Sequence, residues 1–368
     1  HCAYQGNSRL LFQRSETIFA FTLLNQLDLL MENPNQPVKV VAAGEALMDM
    51  IFQPDGSLMP HDGGAVYNLA RALGLAGVCT QYLNPLSADT FGQSLRRALH
   101  KAGVGMPSEH GVAQPTSLAV VGVDEQGKAS YGFYREGVAD RQTSASILTA
   151  LCRELPALEV VCTGCLALLP DDQAIYLPWL QAMRADGKTV VVDANLRPAV
   201  VPDMARYRAS VLAALQEAHL IKASDDDLLH LGFTDADPVQ AARSLMQQTG
   251  ADLMALTLGA QEAVLLASDG RAWHASETTP VQVADTVGAG DCFLAGMLAA
   301  WVRLAEAAAV LPHQLALSDA HMQTLLNWGV ASATLNCQQA GCQPPVREQV
   351  LDRLAQATPA LRSLPSAC

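Results

Sequence analysis

Residues 159–195 read EVVCTGCLALLPDDQAIYLPWLQAMRADGKTVVVDAN. EVVCTG (159–164) and TVVVDAN (189–195) are short apolar runs rich in β-branched residues, the pattern of strands covered on both faces. Between them DQAIYLPWLQAMRADG (172–187) carries apolar residues at helical spacing and closes on Gly187. The same rhythm extends in both directions. VKVVAAG (38–44), AHLIKAS (218–224), LMALTLG (253–259) and AVLLAS (263–268) read as strands, AVYNLARALGLAG (65–77) and DPVQAARSLMQQTG (237–250) as helices. Strands alternating with helices of this length predict an α/β fold: a doubly wound, mainly parallel sheet flanked by helices.

Two stretches break the rhythm. TSLAVVGVDEQGKASYGFYRE (116–136) has two alternating runs joined by a polar turn, a hairpin pattern, and DMIFQPDGSLMPHDGG (49–64) gives extended pieces around Asp55-Gly56. Together they predict a small β-sheet lid, from about 47–62 and 115–137, over the main sheet. Gly122, Gly127 and Lys128 are spaced like a Walker phosphate loop. That loop needs Ser or Thr after the Lys and a helix beyond it, whereas Ala129 and a strand-like ASYGFY follow, so a turn is expected. No linker rich in Pro, Gly or Ser interrupts the chain, so 38–355 is read as one domain and 356–368 as a C-terminal tail. Residues 1–37 are read as an N-terminal extension, non-native or disordered, with Met31 as the natural start.

With 23 Lys and Arg against 36 Asp and Glu, the formal charge is −13. That argues against a nucleic-acid surface, which needs a basic face. No run of about 18 apolar residues suggests a membrane span. The nine cysteines, an odd number lying mostly in apolar runs, suit a reducing, cytoplasmic setting. Cys162 and Cys165 form a C-x-x-C, but no second pair or His cluster accompanies it, so both are read as buried small hydrophobes, like Cys337 and Cys342.

In a doubly wound sheet, ligands gather at the carboxyl ends of the strands. Glu45 and Asp49 follow the first strand, Asn195 and Arg197 follow TVVVD, Asp225, Asp226 and Asp227 follow LIKAS, and Gly259 follows LMALT. Gly63 and Gly64 precede a helix carrying Asn68, a pattern that lets backbone approach a ligand while an amide meets a hydroxyl. The Arg197 guanidinium suits phosphate or carboxylate. Late in the chain comes DTVGAGDCFLAGML (285–298), with small residues between two acids before an apolar helix. Gly288, Ala289 and Gly290 would present N–H groups to a developing negative charge. Asp291, otherwise an ordinary N-cap, could take a proton from a hydroxyl attacking a phosphoryl group.

This last stretch resembles the C-terminal signature of the ribokinase-like, or PfkB, sugar kinases at every constrained position. GGAVYNLARALGLAG (63–77) is similar to the family's sugar-binding helix, TLG (257–259) to its nucleotide-binding strand end, and KASDDDL (222–228) to a K-x-S-x-x-E-L stretch near the magnesium–phosphate region. The resemblance implies an ATP-dependent sugar kinase with Asp291 as general base and Gly288–Gly290 as anion hole. Asp49, Gly63, Gly64, Asn68 and Arg135 would meet the substrate; Asn195, Arg197, Ser224, Thr257 and Gly259 would lie along the nucleotide. It further implies a water-mediated Mg2+ contact from Asp227, and a K+ site from Asp285, the Val287 backbone and Gly341. Departures stand at Val66, Asn84, Asp227 and Glu262. DANLRP and FYREGVADR look most like bacterial fructokinases. The alternative is 2-keto-3-deoxygluconate kinase, with Arg135, Arg141 or Arg197 facing a carboxylate, or another sugar or nucleoside kinase of the family. A dinucleotide oxidoreductase lacks its third Gly in GAGDCF, and a silent sugar sensor would have lost Asp291. Expected partners are a small sugar and ATP, no nucleic acid or membrane, and a second copy of the chain through the lid.

Overall fold

The computed structural model describes residues 37–53, 55–123, 129–259 and 262–364. The expected extension before residue 37, the turn at 124–128 and the last four residues lie outside the described residues. The strands are β1 (Val40–Ala42), β2 (Leu47–Phe52), β3 (Leu58–Gly63), β4 (Thr80–Tyr82), β5 (Ser117–Val123), β6 (Ala129–Tyr134), β7 (Val160–Gly164), β8 (Thr189–Asp193), β9 (Leu220–Ser224), β10 (Leu253–Thr257), β11 (Ala263–Ala267), β12 (Ala272–Ser276) and β13 (Ala360–Leu364). The helices are α1 (Ala65–Leu75), α2 (Thr90–Lys101), α3 (Ala145–Arg153), α4 (Gln173–Ala185), α5 (Met204–Leu215), α6 (Asp225–Leu231), α7 (Pro238–Thr249), α8 (Ala289–Ala307), α9 (Asp319–Cys337) and α10 (Arg347–Gln356).

Nine strands form the main sheet in the order β13-β12-β11-β10-β9-β8-β7-β1-β4. From β4 to β10 every pairing is parallel. The strand AVLLAS departs from this series: β11 runs antiparallel to β10, in register Thr257 to Ala263. Only five residues separate the two strands, too few for the crossover a parallel neighbour needs. Residues 360–364, read from sequence as part of a tail, return to pair with β12 and extend the sheet as β13.

The buried side chains divide between the two faces of the sheet by strand alternation. Val40, Ala42 and Val191 pack with α1, α8 and α9, whereas Val41, Ala43, Val190 and Val192 pack with α3, α4, α5 and α7. Helix α8 is buried almost all round, as AGDCFLAGML implies, and crosses α9 where glycine permits it. A Cβ on Gly296 would lie 2.5 Å from the Trp328 carbonyl oxygen.

The lid is a separate four-stranded sheet, β3-β2-β5-β6. Strands β2 and β3 form the hairpin around Asp55-Gly56, and β5 and β6 form the second. The chain after Lys128 runs as strand β6, which removes the helix a Walker loop requires. β2 leaves the main sheet at the end of β1, so the lid stands over the carboxyl ends of the central strands.

Candidate active site

The site is built around the start of α8. Gly288 precedes that helix with φ +75°, and no side chain caps its first N–H groups. Asp291 is therefore not the N-cap; it lies inside the first turn and is buried. Gly288 has no room for a larger residue, because a Cβ would lie 2.3 Å from Cys342 Sγ. A Cβ on Gly290 would lie 2.9 Å from Lys222 Nζ, so an ammonium group abuts the same backbone. Uncapped N–H groups, the positive end of a long helix and a lysine converge on one half-exposed turn, which is an anion-binding arrangement.

Asp291 Oδ2 accepts a hydrogen bond of 3.1 Å from Asn68 Nδ2, both groups being buried. Burial lifts the Asp291 carboxyl above its ordinary range, opposed by Lys222, by the Asn68 bond and by Arg197. Asn68 arrives on α1, whose start is shaped by Gly64 at φ +106°; a Cβ there would meet the Glu45 carbonyl at 2.6 Å. The Glu45 side chain accepts from the Ala65 N–H at 2.9 Å, while its other oxygen is buried without a hydrogen-bond partner. Burial pushes Glu45 up to about 7, with Arg135 pulling the other way.

From the lid, Asp49 leans over Gly63, where a Cβ would lie 2.1 Å from Oδ2. It stands opposite His61 in register. Burial raises Asp49 to about 6; His61 and Arg197 oppose the rise and Asp291 adds to it. Asp49 from the lid thus comes near the Asn68–Asp291 pair at the start of α8.

At the end of β8, Asn195 adopts φ +37°, and Arg197 folds back on its own loop. Its NH1 donates to Asn195 Oδ1 at 2.7 Å and to the Leu196 carbonyl at 3.0 Å. Asp227 forms a capping box with Ser224. Its Oδ2 accepts from Ser224 N–H at 2.8 Å, Ser224 Oγ accepts from Asp227 N–H at 3.1 Å, and Asp227 Oδ1 accepts from Leu196 N–H at 2.7 Å. One buried carboxylate so fixes α6 to the Asn195–Arg197 loop. Asp225 and Asp226 share the first turn of α6. Thr257 lies beside Ser224 in register at the end of β10, and Gly259 follows at φ +59° in open space.

Arg135 lies among carboxylates. It is buried at the root of the lid, 3.0 Å from Asp172 and 3.8 Å from Asp140, and Arg141 holds the other Asp172 oxygen at 2.6 Å. Both guanidiniums are committed to buried carboxylates. Asp285, Val287 and Gly341 do come together. Asp285 accepts from Val287 N–H at 3.0 Å and from Gly341 N–H at 2.8 Å, and the Val287 carbonyl accepts from Asn336 at 2.8 Å. Each of these oxygens keeps a lone pair, so a monovalent cation fits the residues present. Among the described residues no group of three or more His, Cys, Asp or Glu side chains is placed to hold a metal ion.

The sequence reading passed over two residues of the cleft. Lys222 and Asp193 form a buried ion pair at 3.0 Å beneath Gly290. Burial works against the Lys222 charge, but Asp193, Asp227 and Asp291 outweigh it and raise its pKa; burial lifts Asp193 to about 7. A lysine inside the apolar strand LIKAS was itself a signal, since buried lysines are rare without a partner.

A carboxylate beside an anion-binding helix start, under a β-lid at the carboxyl ends of parallel strands, defines a phosphotransferase acting on a small hydroxylated molecule. Comparison with known proteins agrees: residues 38–349 match the pfkB family carbohydrate kinase model. Fructokinase of Rhizobium leguminosarum bv. trifolii is 31% identical over 264 residues, covering 71% of this chain and 78% of that protein. Fructokinase of Xylella fastidiosa with bound ATP superposes with a TM-score of 0.73 at 25% identity, over 86% of this chain and 98% of that one. A fructokinase double mutant of Vibrio cholerae O395, with fructose, ADP and a potassium ion bound, gives a TM-score of 0.68 at 23% identity, over 83% and 94%. The chain belongs to the pfkB family of carbohydrate kinases. It is an ATP-dependent sugar phosphotransferase, and among its described residues no helix is long and apolar enough to cross a membrane.

Proposed function

We propose that this kinase phosphorylates fructose, with Asp291 as general base and Gly288, Ala289 and Gly290 as the anion hole. The observation that carries the reading is the buried Asn68–Asp291 contact at an uncapped helix start. Asp291 takes the proton of the attacking hydroxyl, and Asn68 and Asp49 hold the sugar so that this hydroxyl faces the γ-phosphoryl group. The first-turn N–H groups and Lys222 offset the charge that gathers on the transferred oxygens. Asn195, Ser224, Thr257 and Gly259 line the nucleotide side. Magnesium supplied with ATP neutralises phosphate charge, and a potassium ion would be held by Asp285, the Val287 carbonyl and the Gly341 loop.

Fructose is favoured over 2-keto-3-deoxygluconate by charge. Arg135 and Arg141 are paired with Asp172, and Arg197 is folded onto Asn195, while Asp49, Glu45 and Asp291 crowd the cleft. A neutral sugar suits that field better than a carboxylate. The fructokinase relatives support the same choice. Assay of ATP-dependent phosphorylation of fructose, ketodeoxygluconate and ribose side by side tests it: fructose should lead, and turnover of fructose no faster than ribose rejects it.

Among the described residues no disulfide joins any of the seven cysteines, in keeping with a cytoplasmic place. The lid exposes the cross-strand pair Phe52 and Leu58 together with Met59 and Tyr134, which supports pairing with a second copy of the chain. Sedimentation of the purified protein as a monomer at micromolar concentration would count against that pairing.

A further inference from the structure

Two thiols lie behind the anion-binding turn and take no part in the chemistry above. Cys292 follows Asp291 in the first turn of α8 and is fully buried at 0% exposure; Cys342 lies on the loop between α9 and α10 at 7%. The Cys292 N–H donates to the Gly288 carbonyl at 2.9 Å, so Cys292 stands one turn beyond Gly288 on the same helix face, its side chain leaning back toward it. Cys342 meets Gly288 directly: a Cβ on that glycine would lie 2.3 Å from Cys342 Sγ and 2.7 Å from its Cβ. Both side chains belong to one buried cluster beside Gly288. The neighbouring Cys342 and burial, with Asp291 adding, push the Cys292 thiol well above its ordinary pKa against the opposing Arg71, so Cys292 is the protonated partner of the pair and not the one first oxidised.

The loop that carries Cys342 is linked to the catalytic turn at two further points. Gly341 N–H donates to Asp285 at 2.8 Å, and Asn336 bridges the Val287 carbonyl at 2.8 Å and the Gln343 N–H at 2.9 Å. Any movement of Cys342 is transmitted to residues 285–290.

We propose that Cys292 and Cys342 form a reversible disulfide that brakes phosphoryl transfer. The oxidant is a hydroperoxide. Cys342 is the thiol reached first, because Gln339, Ala340 and Gln343 beside it are exposed. Its sulfur takes an oxygen atom from hydrogen peroxide to give a sulfenic acid and one water. The Cys292 sulfur then attacks that sulfur, the S–O bond breaks and a second water leaves with the Cys292 proton. Reduction by a dithiol restores both thiols. A disulfide brings two sulfurs to about 2.05 Å, well inside their non-bonded contact distance. The loop is drawn toward α8 against Gly288, where there is no room to spare. A shift of about 1 Å in a catalytic group is enough to lower turnover roughly a hundredfold.

The cross-link itself stands apart from the function, whereas its effect on rate rests on Gly288–Gly290 being the anion hole. The full chain is treated with hydrogen peroxide, alkylated, digested and mapped by mass spectrometry, with kinase activity measured before treatment, after it and after dithiothreitol. The expected result is a Cys292–Cys342 peptide pair lacking two hydrogens, a loss of activity of at least about tenfold and recovery on reduction. A Cys342→Ser variant should keep its own starting activity through peroxide, and Cys292→Ala serves the same purpose if that variant fails to fold. A map in which Cys337 pairs with Cys342, or in which other cysteines oxidise while this pair does not, overturns the disulfide. A cross-link formed without loss of activity overturns the brake.

Discussion

Asp291 and Asn68 are 223 positions apart in sequence and touch at 3.1 Å. Asp291→Asn keeps shape and hydrogen bonding but removes the proton acceptor. It should lower kcat by about a hundredfold to ten-thousandfold while fructose affinity, read by calorimetry, stays within a few-fold. Glu45 gives a prediction of the opposite kind. Its folded pKa of about 7 lies above its ordinary value of 4.5, so between these values the native state holds more protons than the unfolded chain. Stability from this group is therefore greatest at low pH and is lost as pH rises from about 4.5 to 7. Glu45→Gln retains an acceptor for Ala65 and removes the charge. Its Tm should exceed that of the parent at pH 8, by a free energy on the order of 1–3 kcal/mol, and the gain should shrink by pH 5. An equal gain at both pH values would count against the buried-charge account.

At the scale of elements, the junction of α6 with the β8 loop depends on Asp227. It accepts N–H groups from Ser224 and Leu196, two backbone donors from separate elements. Asp227→Ala should cost roughly 1–3 kcal/mol in chemical denaturation, since it removes a capping box and leaves a buried N–H unsatisfied. The same change frees the Asn195–Arg197 loop, so KM for ATP should rise several-fold with little change in KM for fructose. A rise confined to the sugar would mean that this loop serves the other substrate.

Across the whole molecule, the lid is hinged to the sheet domain by charge. Arg135 leaves β6 and reaches Asp172, next to α4, and Asp140. Arg135→Met would leave the buried Asp140 without its cation and Asp172 with Arg141 alone, a change worth about 3–5 kcal/mol when one partner of a buried pair is lost. Thermal melting should therefore show a large drop in Tm. A variant that melts normally and only raises KM for the sugar would return Arg135 to the role of a substrate contact.

The sequence by itself determined the parallel core, the lid and the start of α8, because each is written in local pattern. TVVVD can be buried on both faces, ASYGFY alternates, and GAGD leaves a helix start open. Asp291 was legible for the same reason. The tertiary structure alone decided which charges are free. That Arg135 meets Asp172, that Asp227 meets the Leu196 N–H and that Lys222 lies under Gly290 depend on residues tens of positions away. Nor could local pattern reveal that Cys342 packs against Gly288, since a side chain's partner is set by packing between elements and not by its neighbours in the chain.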